Sequence, residues 1–194
     1  ADVSDSHRVR MMQVASAGHR TLCLGQGAEL VWSRDPIKLT PKQVIEIFAQ
    51  KTAPAFDVAL QIGAICAGAD DKLSQVLHDF SRALGIAYQI HDDIDDHLKA
   101  SDSSANQQLC PNILDALSSD TRAKQTPLQA ATDLLEQYKN AAIECLASLT
   151  NSDLKALLRR MVGKIFCDFE IMSCCDDDPS RNADIRETLD ESAG

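Results

Sequence analysis

The chain has 194 residues, of which 44% are apolar, and a formal net charge of −10. This length and apolar content suffice for one domain with a buried core. The negative charge argues against nucleic acid or an anionic membrane as a partner, because both bind basic patches. There is no apolar run of the roughly 20 residues that span a bilayer. Since the seven cysteines include no Cys-x-x-Cys pair and fit a reducing compartment, we predict a cytoplasmic protein without a membrane span.

The first part of the chain predicts a disordered start over residues 1–6 and a long helix over residues 7–33. Apolar residues occur around the whole circumference of this helix, which is typical of a helix buried on several sides. Near its end, Gln26 and Glu29 are three residues apart and share one face. The apolar residues are Val9, Met12, Val14, Ala17, Leu22, Leu24, Leu30 and Val31.

A proline interrupts the second predicted helix. Residues 40–43 form a capping box with a proline at the first helical position, and the helix they open extends toward Gly68. Pro54 lacks an amide donor and clashes with the carbonyl four residues earlier. We therefore predict a kink just after Lys51 and Thr52, which frees a backbone carbonyl beside an ammonium and a hydroxyl group.

The third predicted helix, over residues 71–98, carries an acidic face and an apolar face. Gln89, Asp92, Asp93 and Asp96 fall on the acidic face, where the carboxylates repel one another and also meet the negative end of the helix dipole. A divalent cation such as Mg²⁺ would offset this repulsion, and a solvated acidic helix end is the alternative at this point. The opposite face is formed by Leu73, Val76, Leu77, Phe80, Leu84, Ala87, Ile94 and Leu98.

The remainder of the chain also has helical periodicity. It predicts a short helix over residues 111–117, a helix that starts at the Thr126 capping box and ends near Leu149, and a last helix that is capped at Asn151 or Ser152 and includes Phe169. Residues 176–194 are acidic and predicted to be a flexible tail. We expect an all-α helical bundle formed as one domain over residues 7–175.

The acidic helix contains the pattern Gly-x-x-x-Gln-x-x-Asp-Asp-x-x-Asp, which starts at Gly85 and ends at Asp96. This pattern resembles the second aspartate-rich motif of the trans-isoprenyl diphosphate synthases, the head-to-tail prenyltransferases. Two further motifs of that family lie upstream in the expected order, a Gly-Gln motif at residues 25–30 and the Lys-Thr pair at residues 51–52. Three ordered motifs form a specific signal, and the resemblance covers about residues 8–117.

The resemblance implies roles for residues of all three motifs. It implies that Lys51 binds an allylic diphosphate, and that Thr52 and Gln89 face the developing carbocation. Gln26 and Glu29 would lie beside the diphosphate, although Glu29 stands where the family has an aspartate.

The resemblance also implies a metal and two substrates. Asp92, Asp93 and Asp96 would bind Mg²⁺, and the reaction would join an allylic diphosphate to isopentenyl diphosphate. The fold would then be about half of an isoprenoid-synthase-type fold, the C-terminal half of the family, because no first Asp-Asp-x-x-Asp precedes Gly25. We expect such a fragment to be inactive alone.

The loop after Asp96 departs from the family pattern. The family follows the second motif with a Lys-x-Thr-x-Pro segment, but Gln107 occupies the position of that lysine and Lys99 is the one cation that remains in the loop. Three interpretations stay open: the C-terminal half of a synthase, a non-catalytic synthase-like subunit that binds a partner prenyltransferase, and an unrelated helical interaction protein. A half-fold would expose apolar surface, so we also predict a homodimer or hetero-oligomer.

Overall fold

A computed structural model describes the chain over residues 3–100, 110–118 and 125–167, and of residue 100 it describes the backbone alone. The regular structure in these ranges is helical and includes no strand, which confirms the predicted all-α class. The α-helices are α1 (Asp5–Arg34), α2 (Pro41–Lys51), α3 (Ala53–Cys66), α4 (Asp71–Ala100), α5 (Ile113–Ser118), α6 (Pro127–Cys145) and α7 (Ser152–Phe166), with a 3₁₀ turn at Leu146–Ser148 after α6.

Helix α1 begins earlier than predicted. The Ser4 hydroxyl accepts a hydrogen bond from the His7 amide, so it caps the helix and Asp5 is already helical. The helix therefore starts two residues before its predicted start at residue 7.

The kink predicted just after Lys51 and Thr52 is a complete break between α2 and α3. The capping box at the start of α2 is present in both directions, since Thr40 and Gln43 each bond to the backbone of the other. Thr52 ends α2 with a ψ of −45° and a φ of −121°, and α3 restarts with Pro54 in its first turn. The rigid φ of proline suits a first turn, where a missing amide donor costs little.

Helix α4 lies at the centre and contacts α2, α3, α5 and α6. The middle of α4 is buried beyond the predicted apolar face. Ile86 and Ile90, which are not part of that face, are as buried as Phe80 and Leu84, which are. At about 25 cal/mol per Å², each such fully buried side chain contributes about 2 kcal/mol of transfer free energy. The acidic pattern that starts at Gly85 is thus held on the helix that has the most buried residues among those described.

Helix α1 is less buried than predicted. It packs on α2 and α3, and Gly25 is its one buried residue within the described ranges. The exposed fractions are 54% for Val9, 70% for Met12, 59% for Leu24, 55% for Leu30 and 72% for Val31. The prediction of a helix buried on several sides is therefore wrong for α1 in the isolated chain.

The fold divides into two compact units, one that ends at Ser148 and one that begins at Leu149. The domain over residues 7–175 stays a prediction. In the second unit, α7 is capped by Asn151, whose side chain accepts a hydrogen bond from the Leu154 amide, and it buries Leu158 and Val162. The predicted end at Phe169 and the predicted acidic tail lie outside the described residues.

Among the residues that the structure describes, no helix combines the length and the apolar character that a bilayer crossing requires.

Candidate functional site

Two motif glycines let α1 and α4 approach the break between α2 and α3. An ideal Cβ at Gly25 of α1 would lie 2.6 Å from the Lys51 amide nitrogen, and one at Gly85 of α4 would lie 2.5 Å from the Ala53 Cα. Real Cβ atoms do not come this close to backbone, so a larger residue at either position would separate the helices. The backbone of residues 51–53 is therefore held between α1 and α4.

The hydrogen bonds at the break differ from those of a continuous helix. The Thr52 amide donates to the Phe48 carbonyl at 3.1 Å, whereas the Ala55 amide donates to the Thr52 carbonyl, also at 3.1 Å. Pro54 has no amide hydrogen to donate. The helical pattern of donors is thus kept up to Thr52 and interrupted just after it, as the sequence predicts.

The Lys51 ammonium lies beside a carboxylate of α1. Its Nζ is 2.7 Å from Glu29 Oε2, and the two side chains are 23% and 14% exposed. The sequence places both residues in the candidate site, but it did not predict that they pair with each other.

The acidic face of α4 divides into a buried edge and an exposed edge. Gln89 is 7% exposed and Asp93 is 9% exposed, whereas Asp92 and Asp96 are exposed to solvent. At 100° per residue the four side chains span about 100° of the helix, which is wide enough to extend from the core to solvent. One predicted face therefore provides two different environments.

Asp93 contacts the start of α5 instead of facing solvent. Its Oδ2 accepts a hydrogen bond of 2.7 Å from the amide of Ile113, a residue that is itself buried. Burial raises the pKa of Asp93 from the ordinary 3.8 to about 7, and the carboxylates of Asp92 and Asp96 add to that rise. The Ile113 hydrogen bond and the Lys51 charge act in the opposite direction.

Cys110 lies near the charged groups of Asp93, Glu29, Asp96 and Lys51, and the sequence did not predict its place in the site. Burial raises the pKa of its thiol, and the Asp93, Glu29 and Asp96 carboxylates raise it further while Lys51 lowers it. These charges act on one thiol because α1, α2, α4 and the segment before α5 meet there. The neighbouring Pro111 was the one sequence signal near this position.

The other predicted site residues are placed differently. Gln26 is exposed on α1, three residues before Glu29. Lys99 is the partner of Asp95 one helical turn earlier, at 3.6 Å, on an exposed part of α4. Thr52 is partly exposed at the break. Gln107 lies outside the described residues.

Two of the three predicted metal ligands on α4 fit the requirements of Mg²⁺. Mg²⁺ characteristically binds one or two carboxylates and completes its octahedron with water and phosphate oxygens. Asp92 and Asp96 fit this requirement because they are exposed one turn apart, whereas Asp93 is engaged by the Ile113 amide. Within the described residues, no three His, Cys, Asp or Glu side chains converge as a complete metal cluster.

A match to a family model defines the family of the chain. Residues 2–119 match the family model of the polyprenyl synthetases, and the chain belongs to that family. It is 31% identical over 97 residues to the farnesyl diphosphate synthase of Haemophilus influenzae, a match that covers 48% of this chain and 32% of that protein. The interpretation as an unrelated helical protein is therefore wrong.

Solved structures agree with the fold. The geranylgeranyl pyrophosphate synthetase of Geoglobus acetivorans aligns with a TM-score of 0.72 at 16% identity, over 86% of this chain and 60% of that one. A geranyltransferase of Helicobacter pylori, in complex with magnesium and isoprenyl diphosphate, aligns with a TM-score of 0.64 at 20% identity, over 86% of this chain and 53% of that one. This chain thus spans about half the length of these solved structures and about a third of the Haemophilus relative.

Proposed function

We propose that this chain provides the C-terminal half of a trans-isoprenyl diphosphate synthase. The complete protein would join an allylic diphosphate to isopentenyl diphosphate head to tail. The observation that carries the proposal is the break at Lys51 and Thr52, which motif glycines hold between the Glu29 helix and the aspartate helix. Family membership over residues 2–119 supports it.

In this proposal the residues of the break act on the allylic substrate. Lys51 binds the diphosphate, and the Thr52 hydroxyl and the Gln89 amide oxygen stabilise positive charge at the allylic carbon. The allylic C–O bond breaks and diphosphate leaves with the electron pair. The isopentenyl double bond then forms the new C–C bond, and a proton is lost.

Asp92 and Asp96 are the residues that would hold Mg²⁺, which neutralises charge on the departing diphosphate when it is bound. We propose that Asp93, an expected ligand, instead positions the start of α5 through the Ile113 amide. Gln26, which is exposed, would contact the diphosphate only at the edge of the site. Because the facing aspartates of the family would have to come from outside this chain, we propose that the chain alone does not catalyse condensation.

A second candidate function is a non-catalytic, synthase-like subunit that binds a partner prenyltransferase. Two ion pairs favour this function, because they engage lysines that a diphosphate would otherwise bind. Lys51 pairs with Glu29, and Lys99 pairs with Asp95. Such a subunit would keep the fold and lose diphosphate binding.

If the chain is part of a synthase, we propose a homodimer in which a second copy covers the exposed apolar residues of α1. If it is a non-catalytic subunit, we propose a heteromer with the partner prenyltransferase. The cytoplasm remains the predicted location.

Titration with geranyl diphosphate in the presence of Mg²⁺ tests the synthase proposal. We expect the chain to bind this allylic probe and Lys51→Gln to weaken binding about tenfold, because a charge-assisted contact is lost. The matched control is Lys42→Gln on the exposed side of α2, which should bind like the wild type. A folded chain that does not bind geranyl diphosphate would contradict the synthase half and favour the subunit.

A further inference from the structure

The ammonium proposed to bind diphosphate already has an anionic partner within the chain. Glu29 Oε2 lies 2.7 Å from Lys51 Nζ, and both side chains are largely withdrawn from solvent. A pair on the surface would be screened and weak, but this one lies against the helix break at the centre of the site. Any anion that binds Lys51 has to compete with Glu29.

The geometry of this pair makes it exchangeable. Glu29 Oε2 is buried, yet it accepts no hydrogen bond from the described part of the chain, so proximity to the ammonium is its main compensation. A buried ion pair stabilises a protein only where good geometry and further hydrogen bonds offset the desolvation of both charges. The carboxylate oxygen is therefore held by this one ionic contact, and an anion that offers Lys51 more oxygens and more charge can replace it.

The length of the Glu29 side chain allows the contact. An aspartate at this position, which is the family residue, is shorter by one C–C bond of about 1.5 Å. With the backbone of α1 fixed by the close approach at Gly25, an aspartate carboxylate would stop short of ion-pair contact with Lys51. The contact thus depends on the length of the glutamate side chain, at a position where the resemblance implies an aspartate.

We propose that Glu29 is an internal competitor for the diphosphate site, one that occupies Lys51 in the free protein and must leave before a polyanion binds. The inference rests on the proposed function, because it concerns the same Lys51 site. Diphosphate carries more charge than a carboxylate and offers several oxygens to one ammonium, so it displaces Glu29, whereas weaker anions do not. Glu29 thereby sets both the affinity of the site and its preference for polyanions.

Calorimetric titration of inorganic diphosphate, with and without Mg²⁺, tests this inference on wild type, Glu29→Asp and Glu29→Gln. Glu29→Asp shortens the side chain out of contact and keeps the negative charge, whereas Glu29→Gln keeps the length and removes the charge. We expect each to bind diphosphate about fivefold more tightly than the wild type, and we expect the gain to vanish when Lys51→Gln is added. Glu46→Gln is the control for removal of a carboxylate elsewhere on the protein, since Glu46 pairs with Arg82. Urea unfolding of each variant checks that the fold is kept.

Three results would overturn the inference. If only Glu29→Gln binds more tightly, the effect is a general electrostatic one and no displacement occurs. If the wild type binds diphosphate and neither Glu29 variant improves on it, the inference fails while the diphosphate site stands. If no variant binds diphosphate with or without Mg²⁺, the proposed function fails and the inference fails with it.

Discussion

The Asp93 carboxylate connects two parts of the site at the cost of its own hydration. It accepts the Ile113 amide at 2.7 Å while burial raises its pKa to about 7. The carboxyl group has an ordinary pKa of 3.8, so the folded state binds its proton more tightly than the unfolded state does. The free energy of unfolding therefore falls as the pH rises from about 4 to about 7, and it stays lowered above that.

We predict that Asp93→Asn removes this pH dependence. The asparagine side-chain oxygen can still accept the Ile113 amide, and the side chain has no charge to desolvate. The variant should exceed the stability of the wild type by about 4 kcal/mol at pH 8 and by less than half of that at pH 5, since one pKa unit corresponds to about 1.4 kcal/mol. Urea unfolding at both pH values in the presence of a chelator measures this, with Asp79→Asn, an exposed aspartate of the same helix, as the control. An equal difference between variant and wild type at both pH values would contradict the assignment.

The sequence could predict which residues form the site better than it could predict their partners. The break at Lys51 follows from the covalent structure of Pro54, and the acidic face of α4 follows from the helical repeat. The Lys51 contact with Glu29 and the Asp93 contact with Ile113 join residues about 20 positions apart in different elements. Such pairings depend on how helices pack, which local periodicity does not determine.

At the scale of helices, the site depends on two close approaches. Gly25 brings α1 against the end of α2, and Gly85 brings α4 against the start of α3. In both cases the nearest atoms belong to backbone, which cannot move aside without moving a helix. Gly63 differs, because an added Cβ there meets nothing within 4 Å.

We predict that Gly25→Ala and Gly85→Ala each destabilise the protein by about 3 kcal/mol through overpacking. Gly63→Ala should instead stabilise it by about 0.5 to 1 kcal/mol, because alanine favours a helix interior and nothing obstructs its methyl group. The midpoint of urea unfolding distinguishes these outcomes. Similar stabilities for all three variants would show that the glycines do not position α1 and α4 against the break.

The helices themselves show where sequence patterns succeed. Caps at Thr40, Thr126 and Asn151 locate three helix starts, since a capping side chain acts on amides within its own turn. The degree of burial was predicted less well. The apolar residues of α1 gave the expectation of a buried helix, but α4, with a clear polar face in its sequence, is the most enclosed.

At the scale of the whole molecule, α1 presents an apolar surface that this chain leaves exposed. Val9, Met12, Leu24, Leu30 and Val31 are all more than half exposed and fall within about 120° of the helix circumference. An apolar stripe along a 30-residue helix is typical of a surface that another protein covers. This stripe is the basis for the proposed homodimer.

We predict that the wild type sediments as a dimer at tens of micromolar and that Met12→Lys/Val31→Lys sediments as a monomer. Both side chains are at least 70% exposed, so the charges should disturb the interface and leave the fold of one chain intact. Ile37→Lys/Leu157→Lys is the control, because these two apolar residues are similarly exposed but lie outside α1. A wild type that sediments as a monomer would contradict the homodimer.

The proposed synthase function requires that the aspartate face of α4 binds diphosphate through Mg²⁺. The direct measurement is calorimetric titration of inorganic diphosphate with and without Mg²⁺. It compares the wild type with the double variant Asp92→Asn/Asp96→Asn. The double variant Asp71→Asn/Asp79→Asn is the control, because it removes the same charge from another part of the same helix. We predict Mg²⁺-dependent binding that weakens at least about tenfold in the first variant and is unchanged in the control. Equal Mg²⁺-dependent binding by all three proteins, or none by the wild type, would contradict the assignment of this face as the metal side of a prenyltransferase site.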